Sequence, residues 1–196
     1  TASAGANGSI TPLGVIPTNE VSSTTFNVTP NTNYSILDVK VDGVSQGAVP
    51  TYTFTNITAN HTNDATFTYT MHNIDASAGP NGTITPSGTI ATNEVSSTTF
   101  NVTPNTNYSI ADVKVDGVSQ GAVSTYTFTN ITTNHTIEAT FTYTMHNITA
   151  SAGANGSITP LGVIPTNEVS STTFNVTPNT NYSIADVKVD GVSQGA

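Results

Sequence analysis

The run A-S-A-G-x-N-G opens at Ala2, Ala76 and Ala150, so the chain repeats itself every 74 residues. The third copy matches the first at every position it covers except one, where Ala185 stands for Leu37. The second differs from the first at 11 positions, among them Pro80 for Ala6, Ala91 for Pro17 and Ile137 for Asn63. Copies this similar must share one folding solution. After Thr1, the 196-residue chain comprises two full repeats and the first 47 residues of a third. Solenoid repeats of about 20–50 residues lean on their neighbours, whereas a unit of 74 residues can enclose a small core of its own. The units read as 1–71, 72–145 and 146–196, the last without its final strands.

Within a unit the hydrophobic period is two. In S-T-T-F-N-V-T at 23–29, Phe26 and Val28 face one way and Thr25, Asn27 and Thr29 the other. D-V-K-V-D at 38–42, T-Y-T-F-T at 51–55 and the stretch 136–143 alternate in the same manner. Thr, Val, Ile, Tyr and Phe suit a pleated, half-buried surface. The pairs and triplets N-G at 7–8, T-P-N at 29–31 and D-G at 42–43 supply the turns. The pattern predicts an all-β chain of tandem small antiparallel domains, each a β-sandwich or open barrel of about six strands.

The junction F-T-Y-T-M-H-N-I-D-A-S-A (67–78) carries no Gly, no Pro and no polar linker. Its apolar residues are odd-numbered at Phe67, Tyr69 and Met71 and even-numbered from Ile74 onward. A one-residue change of phase exchanges the buried face, which places the handover between cores at His72–Asn73. One unit should run directly into the next, giving a stiff array.

Composition narrows the function. Only 8% of residues are charged, the net charge is −9, and the three cations, Lys40, Lys114 and Lys188, are spread one per repeat. Nucleic acid calls for clustered Lys and Arg, and an anionic membrane surface would repel such a chain. No apolar run nears the roughly 18 residues of a membrane span. With no cysteine, disulfides and thiolate metal sites are excluded. A Thr/Ser/Asn-rich, weakly acidic surface fits an extracellular protein.

The ordered blocks G-S-I-T-P, F-N-V-T-P-N, Y-S-I-A-D-V-K-V-D-G-V-S and Y-T-F-T-N-I-T, closing on N-H-T-I-E-A-T-F, are similar to the divergent internalin-type B-repeats of bacterial and archaeal surface proteins. The resemblance spans nearly the whole chain. It implies a secreted or surface array of stalk or adhesin type and brings no catalytic residues with it. Two positions depart from the pattern: Asn33, where many members have Gly, and Asn63, polar where Ile137 points inward.

Residues that could carry chemistry read as structural. G-V-S-Q-G at 43–47 matches the G-x-S-x-G of a hydrolase elbow, which needs a helix after the serine. Here A-V-P-T-Y-T-F-T follows, and Asp42-Gly43 is instead a favoured type I′ hairpin pair. Asp38 and Asp42 flank Lys40 on one strand face, an exposed ion-pair ladder rather than a calcium loop. Glu20 has no acidic neighbour to make a glycosidase pair. His61 and His72, like His135 and His146, lie 11 residues apart, which is no zinc spacing. His72 reads as a polar filler between cores. Alternation puts Lys40 on the polar face, away from an intramolecular Lys–Asn cross-link. No catalytic, cofactor or metal residue is therefore assigned.

Two sets of surface candidates remain. The triplets at Asn27, Asn56, Asn60, Asn101, Asn130, Asn134 and Asn175 are candidate glycosylation acceptors, although a Thr/Asn-rich sheet generates such triplets by composition alone. Tyr34, Tyr108 and Tyr182 follow T-P-N-T-N turns and could stack on a sugar. The leading expectation is a structural, non-enzymatic cell-surface protein forming a stiff rod, stalk or filament. The alternative is an adhesin module binding glycan or protein through Tyr, Asn and Thr loops. Its partners are further copies of itself, with surface glycans in the adhesin case. The portion 2–48 occurs three times and 49–75 twice, so the chain reads as a window onto a longer array.

Overall fold

The computed structural model describes residues 1–196 and contains no helix. Unit 1 comprises β1 (Ala2–Ala4), β2 (Gly8–Thr11), β3 (Thr24–Pro30), β4 (Tyr34–Val41), β5 (Val44–Ser45), β6 (Thr51–Phe54) and β7 (Asn63–Tyr69). Unit 2 comprises β8 (Met71–Ala78), β9 (Gly82–Thr85), β10 (Gly88–Asn93), β11 (Thr98–Pro104), β12 (Tyr108–Val115), β13 (Val118–Ser119), β14 (Thr125–Phe128) and β15 (His135–Tyr143). Unit 3 holds β16 (Met145–Ala150), β17 (Gly156–Thr159), β18 (Gly162–Asn167), β19 (Asn175–Pro178), β20 (Lys188–Val189) and β21 (Val192–Ser193).

Alternation becomes burial as the period of two requires. In β11, Phe100 and Val102 are buried while Thr99, Asn101 and Thr103 face solvent. On the wet side, the Thr99 and Thr127 hydroxyls of β11 and β14 lie 2.8 Å apart, a cross-strand pair that keeps an uncharged surface hydrated and ordered. Unit 2 has two sheets, ordered β10-β8-β15-β12-β13 and β14-β11-β9. Both contribute to one core, including Ile74, Val113 and Ile137 from the larger sheet and Ile84, Phe100 and Phe128 from the smaller. Unit 1 is built alike, from β1-β7-β4-β5 and β2-β3-β6. The two sheets stay separate, so the architecture is a sandwich with no closed barrel.

The expected all-antiparallel arrangement needs one correction. β1 runs parallel to β7, with Ala2 opposite Asn63, and β8 runs parallel to β15, with Ile74 opposite His135. The last strand of each complete unit is central in the larger sheet, lying between the first strand and β4 or β12. Parallel pairing has a directional consequence. The chain leaves a unit heading the way it entered, whereas an antiparallel last strand would return it to the entry end.

Only Thr70 separates β7 from β8, and the change of phase occurs there, not at His72–Asn73. Tyr69 and Met71 are both exposed, whereas His72 is half-buried on the face it shares with buried Ile74 and Ala76. Thr70 is held from both units: its N–H donates to the Asn33 carbonyl at 2.9 Å, and its own carbonyl accepts from the Glu94 N–H at 2.9 Å. Thr144 repeats the arrangement with Asn107 and Glu168.

Close approach explains one glycine in each complete unit. A Cβ on Gly82 would lie 2.2 Å from the Phe141 ring, so β9 can pass beneath that ring only without a side chain. Gly8 and Phe67 stand in the same relation. Unit 3 lacks a counterpart of β15 and falls into three two-stranded pieces, β16-β18, β17-β19 and β20-β21. Without its central strand the larger sheet has nothing to join its halves.

Candidate functional site

Polar chemistry concentrates at the V-D-G-V-S-Q-G hairpin, present in all three units. Asp42 and Gly43 both take positive φ, at 50° and 81°, as the type I′ turn demands. The turn brings Ser45 back over β4, where its hydroxyl donates to the Asp38 carboxylate at 2.7 Å. The same carboxylate oxygen accepts the Gly47 N–H at 3.1 Å. Asp38 thus ties down the hairpin end. Unit 3 reproduces the Ser193–Asp186 bond at 2.6 Å and the Val187–Gly195 backbone bond at 2.9 Å. The hairpin keeps these local bonds in unit 3, where no strand equivalent to β7 lies beside it.

Asp42 faces the other way. Its carboxylate meets His61 Nδ1 at 2.7 Å and accepts the Thr62 N–H at 2.7 Å, tying the hairpin turn to the entry of β7. The His61 bond and then the Thr62 N–H hold the Asp42 carboxyl below the usual carboxylate value. At Asp116 partial burial pushes upward, but the His135 bond and the Thr136 N–H outweigh it, and the net direction is again down. His61 also stacks on Phe54, with ring centroids 4.9 Å apart.

The expected ion-pair ladder along β4 is not what forms. All four ion pairs within 4.0 Å use histidine, and none uses Lys40, Lys114 or Lys188. Asp38 is instead bonded to the Ser45 hydroxyl and Gly47 N–H of its own hairpin, and Asp42 to His61 and the Thr62 N–H ahead of β7. Sequence reading missed the Asp42–His61 pair because the partners are 19 residues apart in a chain read for local period. A signal exists: the same spacing recurs at Asp116 and His135.

The tyrosine candidates are only partly available. Tyr34 is half-buried and stacks on Tyr69, with centroids 4.6 Å apart, as Tyr108 does on Tyr143. The hydrogen-bonding Tyr69 phenol and partial burial push the Tyr34 phenol above its ordinary value. Tyr182 has no such stack and is 57% exposed. Among the glycosylation candidates, Asn27, Asn101 and Asn175 are exposed on strands, and Asn56 and Asn130 are exposed at left-handed positions with φ of 52°. Asn60 is exposed beside a groove, and Asn134 accepts the Asn73 N–H at 2.8 Å through its side-chain oxygen. The structure does not gather these residues into one site.

Asn33 and Asn63 both have visible settings. Asn33 sits at φ 69°, a left-handed position that Asn tolerates better than most residues. Asn63 is 1% exposed, and neither its side-chain oxygen nor its nitrogen has a hydrogen-bond partner. At the junction, His72 Nε2 is 3.8 Å from Glu94 Oε2 and has no hydrogen-bond partner. A groove of about 490 Å3 runs open along the outer face of unit 2 past Asp75, Thr89, Lys114 and Glu138. Compared with family descriptions, with curated proteins and with solved structures, the chain finds no match.

Proposed function

We propose that the protein is a structural, non-enzymatic component of an extracellular or cell-surface array, its units stacking into a stiff rod, stalk or filament of the internalin B-repeat type. The observation that carries this reading is the parallel pairing of first and last strands, which sends the chain onward from unit to unit. The junction supports it, since Thr70 and Thr144 leave no slack between strands and are bonded on both sides. The self-contained bonding of Ser45 and Asp38 favours a mechanical role for the hairpin over a nucleophilic one.

A domain of 74 residues spans roughly 25–30 Å, so each unit should add about that length. Small-angle scattering or electron microscopy of arrays with increasing unit number tests this directly. Maximum dimension should grow linearly with unit number. Growth as its square root would mean a flexible string and would defeat the rod reading.

The adhesin alternative draws on Tyr182, which is 57% exposed, and on Tyr34 and Tyr108 through their stacks with Tyr69 and Tyr143, which are 46% and 45% exposed. Binding on a glycan array that disappears with Tyr69→Ala and Tyr143→Ala, while the scattering profile holds, would favour it.

A further inference from the structure

We propose that His72 and Glu94 form a pH-operated latch across the junction between units 1 and 2, closed where imidazole carries its proton and carboxylate has lost its own.

The two residues are diagonal neighbours in one ladder. His72 lies opposite Thr92 where β8 pairs with β10, and the ladder continues past β10 through the Glu94 N–H, which donates to the Thr70 carbonyl at 2.9 Å. Glu94 therefore reaches β8 and the junction ahead of it in two ways, by its backbone to Thr70 and by its side chain to His72. The backbone tie is made and the side-chain tie is not. His72 Nε2 stands 3.8 Å from Glu94 Oε2 and is buried without a hydrogen-bond partner. A proton on Nε2 turns that orphaned atom into a cationic donor facing an anionic acceptor. Closing to an ordinary charge-assisted contact then takes a shift of only about 1 Å.

The shift falls to the Glu94 side chain, because the backbone on both sides is pinned. The Val95 N–H donates to the Ile131 carbonyl at 2.8 Å and the Ser96 N–H to the Asn93 carbonyl at 3.2 Å. The His72 carbonyl accepts the Thr92 hydroxyl at 3.1 Å. Once closed, the ion pair must break whenever the Glu94–Thr70 bond opens, so protonation strengthens the junction. The arrangement recurs at the next one: His146 Nε2 is 3.8 Å from Glu168 Oε2, and the Glu168 N–H donates to the Thr144 carbonyl at 2.8 Å.

Glu94 is the one acidic partner of His72 within 4.0 Å. On β15, His135 lies opposite Ile74, and its Nδ1 is held by Asp116 at 2.7 Å. Asp75 of β8, Glu138 of β15 and Lys114 of β12 line the groove on the outer face. From unit 1, Asn33 meets Thr70, and the adjoining Tyr34 and Tyr69 are stacked on each other; phenols ordinarily titrate near pH 10. Imidazole ordinarily gains its proton near pH 6.5 and a glutamate carboxyl near pH 4.3, so the latch is closed between about pH 4.5 and about pH 6 and open on either side. The inference rests on the junction geometry alone and holds whether or not the array is a rod.

Amide hydrogen exchange of the full chain, followed by NMR from about pH 4 to about pH 8 and corrected for intrinsic rates, tests it. Protection of the Glu94 N–H should peak near pH 5.5, roughly three- to fivefold above its value at pH 8. His72→Gln and Glu94→Gln should each flatten that profile, while the Val102 N–H, bonded to the Ser124 carbonyl in the core sheet, keeps its protection. In the unaltered chain the His72 imidazole and Glu94 carboxyl resonances should respond to each other's titration, a reading that needs no variant. A flat Glu94 profile in the unaltered chain overturns the proposal, as do independent titrations of the two groups. A peak that survives in Glu94→Gln overturns it as well and assigns the pH response to His135 and Asp116.

Discussion

The Glu94 N–H donates to the Thr70 carbonyl at 2.9 Å, joining unit 2 to the single residue that separates the two units. The Thr70 N–H is bonded in turn to Asn33 of unit 1. The two peptide groups that flank the Thr70 Cα are thus bonded to different units, so rotation about its φ or ψ breaks a bond and the angle between units is set locally. Inserting Gly-Gly-Ser after Thr70 and after Thr144 should free the units while leaving each fold intact. Scattering would then show a broad distribution of maximum dimensions, and thermal unfolding should change little. An unchanged scattering profile would show that Thr70 does not set the angle.

Asn63 occupies the place that Ile137 fills in unit 2, and both are 1% exposed. Burying an amide with neither polar atom satisfied costs about 1–3 kcal/mol. Asn63→Ile should therefore stabilise unit 1 by about that amount, and Ile137→Asn should destabilise unit 2 comparably. Denaturant melts of the two variants check both signs. A neutral Asn63→Ile would mean that the amide finds water in solution.

The Asp42 and Asp116 carboxyls are held below their ordinary value near 3.8 when folded. A carboxyl depressed by folding contributes its stability above the unfolded value and loses it as pH falls through the folded one. Melting temperature should therefore drop as pH falls below about 4. The double variant Asp42→Asn, Asp116→Asn should fall less steeply there. Parallel acid limbs for the two proteins would assign the acid sensitivity to other carboxyls.

Much of this was legible in the sequence, within limits set by range. Strand positions such as 24–30 and the Asp42-Gly43 turn follow from interactions among adjacent residues, which periodicity and φ preferences record. The Ala2–Asn63 parallel pairing joins residues 61 positions apart and leaves no local mark. The phase change was visible but misplaced, because Met71 reads as a core residue and is in fact 48% exposed. The carboxylate partners were also lost to distance, since a strand-face argument places Lys40 beside Asp38 and Asp42 but says nothing of the donors that the turn brings nearer.

Val95 adopts φ 55°, and Val21 and Val169 adopt φ 57°, a left-handed conformation that strains a β-branched residue. The Val95 N–H is bonded to the Ile131 carbonyl at 2.8 Å, and that bond holds the turn. Val95→Asn should relieve about 1 kcal/mol of strain and raise the melting temperature of unit 2 by about 4–8 °C. Calorimetry decides it. A lower melting temperature would show that the valine side chain contributes packing that outweighs its backbone cost.

The central place of β7 and β15 bears on how such a chain is made. A polypeptide arriving N-terminus first presents β1 and β4 long before the strand that must lie between them, so the larger sheet stays open until residue 63 and beyond have emerged. Closure of one unit and delivery of the next unit's first strand are then almost the same event, one residue apart at Thr70. Folding of successive units along the chain is therefore stepwise, one 74-residue increment at a time.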